Sequence, residues 1–139
     1  MKILHDELSV TTRGQGMVEI TDACADMLRR SGLRSGVLTI FCRHTSCSLV
    51  VMENADPTAR RDLEAWLNRL VPEAGVRFEH QAEGPDDMPG HIKMALTRTS
   101  ESVPFAEGRL RLGTWQGVYL WEHRHASHTR SLAVTAIGE

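Results

Sequence analysis

An α+β fold is predicted for this chain: one compact domain, residues 1–139, of mainly antiparallel strands with a few helices. Three observations predict it. Short runs rich in Val, Ile, Leu and Thr recur along the sequence, several alternating with period two. Only two or three segments carry apolar residues at helical spacing. No linker, internal repeat or low-complexity stretch divides the chain. Many strands interrupted by few helices is the pattern of an α+β domain.

The elements follow in order. Ile3 to Val10 reads as a strand, Gly14-Gln15-Gly16 as a turn, and Met17 to Ile20 as a second strand. Thr21 fits a helix N-cap, Asp22 suits the positive end of that helix, and Gly32 fits its stop. Gly36 to Cys42 and Ser48 to Met52 are strands. Asp56-Pro57 is a strong helix start, because Asp caps free amides and Pro loses no hydrogen bond at the first helical position. Leu63, Trp66, Leu67 and Leu70 then recur at helical spacing until Pro72. Val76 to Glu79 is predicted as a strand and Glu83 to Gly90 as a loop, with a short helix through Ile92 to Leu96. Strands follow at Ser102 to Phe105, Arg109 to Leu112, Val118 to His123 and Ser131 to Ile137, with a turn at Glu107-Gly108. The last two alternate in period two.

With 139 residues the chain is long enough for a self-sufficient core. The net charge is −2 and the basic residues are scattered, which argues against a nucleic-acid-binding face. No stretch is apolar and long enough to span a bilayer, and Met1 to Val10 does not read as a signal peptide. Cys24, Cys42 and Cys47 form no CxxC pair, so a reducing cytoplasm is the expected setting and the thiols read as small hydrophobes. Cys47 lies near the His44 block, so a reactive thiol is the alternative there, although nothing in the sequence marks it as activated.

Chemistry concentrates in four blocks. His44-Thr45-Ser46 follows a buried strand. One imidazole and two hydroxyls there suit phosphate oxygens, a proton shuttle or a metal, against a plain turn in which the hydroxyls bond their own backbone. Glu53-Asn54-Ala55-Asp56-Pro57 is mostly explained by helix capping, although a helix N-terminus is also an anion site. His80, Glu83, Asp86, Asp87 and His91 are the most suggestive group, since imidazole with carboxylate suits zinc or another divalent transition ion, and carboxylate alone suits magnesium. A polar surface loop is the alternative. In Gly113-Thr114-Trp115-Gln116-Gly117, Trp115 can stack on a heterocycle and Gln116 can bond its edge, or the segment is a hairpin with a buried Trp. Glu122 shares a strand face with Val118 and Leu120. If that face points inward Glu122 must be paired, with Arg124 as the natural partner. His123, His125 and His128 read as a surface group at a strand end.

These blocks, with Arg61-Asp62-Leu63-Glu64, Glu83-Gly84-Pro85-Asp86-Asp87-Met88-Pro89, His91-Ile92-Lys93 and Glu122-His123-Arg124, stand in the order of the YjbQ-like family, also called secondary thiamine-phosphate synthases. The chain resembles that family from about Leu8 to Glu139. The resemblance implies a homotrimer with a polar site near subunit contacts. It also implies a reaction joining hydroxymethylpyrimidine diphosphate to a thiazole phosphate with release of pyrophosphate. A divalent ion, Zn or Mg, would stabilise the departing anion.

On that basis His44, His80 and His91 are the expected metal ligands. His44, Glu83 and Glu122 are the expected catalytic groups. Thr45, Ser46, Asn54, Thr114, Trp115, Gln116 and Arg124 would bind a phosphorylated small-molecule substrate. Two other readings use the same residues: a metal-dependent hydrolase or phosphotransferase, and a non-enzymatic trimer that binds a metabolite or metal.

Overall fold

Two antiparallel sheets face each other across one apolar core. The computed structural model describes residues 1–139. The larger sheet has the order β1-β8-β3-β5-β6, from Lys2–Thr11 (β1), Thr129–Gly138 (β8), Gly36–Cys42 (β3), Ser100–Ala106 (β5) and Arg109–Leu110 (β6). The smaller sheet has the order β2-β7-β4, from Gly16–Glu19 (β2), Gln116–Glu122 (β7) and Cys47–Glu53 (β4). Three helices complete the chain, Thr21–Ser31 (α1), Pro57–Leu70 (α2) and Asp87–Leu96 (α3). This is the predicted α+β class. None of the helices is long and apolar enough to cross a membrane.

Leu38, Ile40, Leu132 and Val134 from the larger sheet meet Leu49, Val118 and Leu120 from the smaller, and Cys24 and Leu28 of α1 close the core. Gly32 ends α1 in the left-handed conformation, φ 72°, as its position suggested. Gly36 pairs with Gly138 at the β3–β8 ladder, where a Cβ on Gly36 would stand 2.0 Å from the Ile137 carbonyl oxygen. Only glycine allows that approach.

Strand β7 is buried along almost its whole length rather than on one face. It is the central strand of its sheet. Val118 and Leu120 face the other sheet, while Trp121 packs under Leu67 of α2 and Val71 just beyond it. A strand covered on both sides has no polar face to reveal its period.

Three predicted elements need correction. Thr21 is the first residue of α1, not its cap: its hydroxyl accepts from the Val118 N–H at 2.9 Å and donates to Glu19 at 2.8 Å, tying the helix to β7. Val76 to Glu79 is irregular and mostly exposed, because no neighbouring strand offers it a ladder. The segment read as a loop to Gly90 turns helical at Asp87. Pro89 does not prevent this, since its missing N–H falls in the first turn, where no intrahelical bond is made. Asp56 does cap α2 as expected, accepting from the Thr58 N–H at 2.9 Å.

Candidate metal centre

Helix α3 builds the site because Asp87 and His91 are four residues apart and share a helix face. Asp87 is almost fully buried, and His80 reaches it from the irregular segment before the helix. His80 Nε2 lies 2.7 Å and His91 Nε2 3.2 Å from the same oxygen, Asp87 Oδ2. Their donor atoms all lie within 4.8 Å of one another. The imidazole planes are tilted by 53°, with centroids 5.3 Å apart.

The other carboxylate oxygen is held from behind. Arg124 Nη1 donates to Asp87 Oδ1 at 2.7 Å, and its Nε donates to Asp86 Oδ2 at 3.1 Å. Asp86 also accepts the His125 N–H at 2.8 Å. Burial pushes the Asp87 carboxyl upward, but the His80 hydrogen bond and the charges of His91 and Arg124 outweigh it and hold it below the ordinary carboxylate range. Asp87 is therefore an anion at neutral pH despite its burial.

His91 Nδ1 lies 2.6 Å from the Thr45 carbonyl oxygen. A carbonyl oxygen only accepts, so Nδ1 carries a proton and the ring is held with Nε2 aimed at the Asp87 carboxylate. A proton on Nε2 makes this an ion pair, and a metal cation between the two atoms in its place makes both of them ligands. Tetrahedral zinc with bonds near 2.0–2.1 Å spaces its ligand atoms roughly 3.3 Å apart, close to the 3.2 Å between His91 Nε2 and Asp87 Oδ2, while the 2.7 Å from His80 Nε2 is a hydrogen-bond distance that an ion would widen. Two imidazoles and one carboxylate fit a divalent transition ion with an open position better than they fit magnesium.

His44 does not join this group, which corrects its expected place as a ligand. Its Nε2 accepts the Ser131 N–H at 2.7 Å, so the lone pair is used by β8. Burial and the nearby Arg130 charge hold its pKa below the usual histidine value. Asp87 takes its place as the third donor. Glu83 contributes its backbone oxygen to Arg124 at 2.8 Å, while its carboxylate is largely exposed, 3.9 Å from the same guanidinium.

Glu122 faces inward and is paired, as its strand position required. The partner is Arg130 rather than Arg124, however. Arg130 Nε donates to Glu122 Oε1 at 2.8 Å and Nη2 donates to Oε2; the hydroxyl of the fully buried Thr12 donates to Oε1 at 2.6 Å. Burial opposes ionisation of Glu122, but the Arg130 and Thr12 hydrogen bonds outweigh it and lower its pKa. Such a saturated carboxylate is a structural anchor, not a base. Ser46 belongs to the same network, its buried hydroxyl accepting from Arg130 Nη2 at 3.0 Å. Thr45 is exposed beside the centre and meets it through its carbonyl.

Asn54, Thr114, Trp115 and Gln116 lie elsewhere. Cys47 pairs with Glu122 at one end of the β4–β7 ladder and Glu53 with Gln116 at the other. Six residue steps at about 3.4 Å put these ends roughly 20 Å apart. At the far end Asn54 Nδ2 donates to the Gln116 carbonyl at 3.2 Å, and Gln116 Oε1 accepts the Gly113 N–H at 2.8 Å. Trp115 is exposed rather than buried in the hairpin. The expected substrate residues thus form two groups in one chain.

Of the late histidines, His123 is buried, sharing a 2.9 Å hydrogen bond with Ser48 Oγ, and burial pushes its pKa down to about 3. His125 is exposed and bonds Glu73 at 2.9 Å. His128 Nδ1 bonds the Ala126 carbonyl at 2.8 Å. Beside His80 opens a cavity of ≈ 290 Å³, lined by Val76, Phe78, Pro85, Met88 and Glu73.

Relatives share this architecture. A protein of Synechocystis described as a UPF0047 protein is 48% identical over 97% of this chain and 92% of its own. The UPF0047 protein YjbQ of Escherichia coli O157:H7 is 44% identical, over 95% of this chain and 94% of its own. The crystal structure of a conserved hypothetical protein of Thermus thermophilus superposes with a TM-score of 0.84 at 34% identity, covering 95% of this chain and 99% of that one. A YbjQ-like protein of unknown function from Sulfolobus solfataricus, at 24% identity and TM-score 0.90, has the same fold over 99% of both chains. The sequence model of the family described as UPF0047 protein YjbQ-like matches residues 6–139, and the chain belongs to that family.

Proposed function

We propose that His80, Asp87 and His91 hold a divalent transition ion, zinc by preference, and that the protein is an enzyme acting there on a phosphorylated small molecule. The observation that carries this reading is the convergence of one donor atom each from His80, Asp87 and His91 within 4.8 Å of one another, with the Asp87 carboxylate almost fully buried. The ion would supply electrophilic stabilisation of a departing phosphate or pyrophosphate. Arg124 holds Asp87 in place, and the cavity beside His80 offers an apolar wall of Val76, Phe78 and Met88 to a small substrate.

The specific reaction is thiamine-phosphate synthesis, as the family resemblance implies. The pyrimidine methylene–oxygen bond breaks, pyrophosphate leaves with the electron pair, and the thiazole nitrogen forms the new bond. The substrate brings its own nucleophile, so no side chain need attack, which suits a centre whose buried carboxylates, Asp86 and Asp87, are both held by Arg124. Metal-dependent hydrolysis is the second reading. It is favoured by the place of Trp115, beyond the far end of the β4–β7 ladder from Glu122, which leaves one chain without the second aromatic wall that a two-substrate coupling would use.

A homotrimer is also proposed. Trp66, Leu70 and Leu96 expose a contiguous apolar face along a groove of ≈ 400 Å³, and a closed oligomer buries such a face. Sedimentation at micromolar concentration tests it: a mass of three chains is expected, and a monomer rejects it. For the activity, zinc-loaded protein is assayed with the coupling substrates and with a panel of phosphate monoesters at equal enzyme concentration. Metal-dependent product in the first assay supports the synthase. Product only in the second supports the hydrolase, and none in either rejects an enzyme of these classes.

A further inference from the structure

The turn that fixes His91 is bracketed by two thiols. Cys42 ends β3, Cys47 opens β4, and Arg43 to Ser46 carry the chain from one sheet to the other. Both cysteines are free and buried. Their Sγ atoms are 3.3 Å apart, and the Cys42 thiol donates to the Cys47 carbonyl at 3.4 Å. Arg43 and Thr45 between them are exposed, so the pair lies directly beneath a surface turn.

Three of the four intervening residues have separate attachments. The Thr45 carbonyl accepts from His91 Nδ1, Ser46 Oγ accepts from Arg130, and His44 Nε2 accepts from the Ser131 N–H. A disulfide needs its sulfurs about 2.05 Å apart. Closing the present gap shortens the sulfur separation by about 1.2 Å, and the part of it that side-chain rotation does not absorb falls on the turn whose Thr45 carbonyl holds His91.

We propose that Cys42 and Cys47 are a redox modification site, oxidised to a disulfide by hydrogen peroxide or a similarly small peroxide, and that this loosens ion binding at His80, Asp87 and His91. The coupling to the ion rests on the metal-centre reading above. The Cys42 sulfur attacks one peroxide oxygen, the O–O bond breaks, and the other oxygen leaves as water. Cys47 then attacks the resulting sulfenic sulfur, the S–O bond breaks, and a second water leaves with the remaining proton. The thiol pair loses two electrons and the peroxide is reduced to two waters.

The Cys42 thiol donates to the Cys47 carbonyl, which leaves the Cys47 S–H free to donate to the Cys42 sulfur; that hydrogen bond favours the Cys42 thiolate against the opposing effect of burial and makes Cys42 the attacking sulfur. Cys24, in the core under α1, is pushed up to about 12 by burial and stays inert.

The test uses the reduced full-length protein and a slight excess of hydrogen peroxide. Trypsin cuts after Arg34, Arg43 and Arg60, so Cys42 and Cys47 fall on different peptides, 35–43 and 44–60, unless a disulfide joins them. The expected result is that linked pair, separated again by dithiothreitol, with Cys24 still open to alkylation after unfolding. Zinc titration against a chromophoric chelator should then show an affinity at least ~10-fold weaker in the oxidised form, restored on reduction, as for loss of a group that orients a ligand.

A reduced His91→Ala variant should bind no zinc, which separates the centre from zinc held by the thiols. Peptides that stay unlinked, or oxidation that falls on Cys24, overturn the pair. A linked pair with unchanged zinc affinity overturns the coupling. Failure of the reduced protein to bind zinc overturns the centre and the coupling with it, while the peptide map still decides the thiols.

Discussion

The main-chain oxygen of Thr45 determines which nitrogen of His91 faces Asp87. At 2.6 Å from Nδ1 it accepts from that N–H and turns Nε2 towards the carboxylate, 3.2 Å away. A backbone carbonyl cannot be replaced by mutation, so the orientation of the ring is fixed by the fold of the β3–β4 turn rather than by a side chain. Second partners of this kind orient ligands and tune their basicity.

Arg124 plays the matching part for Asp87. It donates at 2.7 Å to the oxygen that the imidazoles do not use. Arg124→Ala should weaken zinc binding about 10–100-fold, measured by competition with a chelator. Arg124→Lys should recover only part of this, because an ammonium cannot bridge Asp86 and Asp87 in the fork that the guanidinium makes. Unchanged affinity in Arg124→Ala would remove Arg124 from the account.

Glu122 is expected to matter for stability and not for the ion. Glu122→Ala leaves Arg130 buried without its partner and should cost about 3–5 kcal/mol, read from urea unfolding. Zinc stoichiometry of the folded fraction should be unchanged. A variant of native stability that has lost its ion would instead make Glu122 part of the centre.

Acid should unfold the protein through His123 before the carboxylates titrate. Its folded pKa of about 3 lies below the unfolded value near 6.5, so the unfolded chain takes up the proton first. Stability is therefore full above pH 6.5 and falls at up to ~1.4 kcal/mol per pH unit as pH drops towards 3. Unfolding at pH 7 and pH 5 should differ by about 2 kcal/mol. His123→Gln, whose amide can still bond Ser48, should flatten the slope over that window. An equal slope in the variant assigns the effect elsewhere.

Trp115 is exposed at the far end of the β4–β7 ladder. Trp115→Ala should leave zinc content unaltered and shift stability by less than about 0.5 kcal/mol. A drop in zinc content would show that this loop reaches the centre of another chain.

Much of this was legible from residue order alone. The caps at Asp56 and Gly32 and the apolar runs of β3 and β8 act locally, so local sequence reports them. The inward turn of Glu122 was readable because Val118 and Leu120 share its face. Its partner was not, since Arg130 arrives from β8 across the gap between sheets and Thr12 from the end of β1.

Proline and glycine hid the start of α3, although Asp87 and His91 at helical spacing were the available signal that the two share a face. His44 misled in the opposite way. Its sequence neighbours face the site, but β8 supplies an N–H that occupies its lone pair. Nor did sequence order show that Gln116 and Glu122 mark opposite ends of one strand, which separates the two groups of expected substrate residues.

The most direct measurement is the metal content of purified, untagged protein, wild type against Asp87→Ala, His91→Ala and His44→Ala. The account predicts close to one zinc per chain in wild type and in His44→Ala, and its loss in both other variants. A wild type that takes up no ion even after incubation with zinc, or an ion lost with His44 and kept without Asp87, would contradict it.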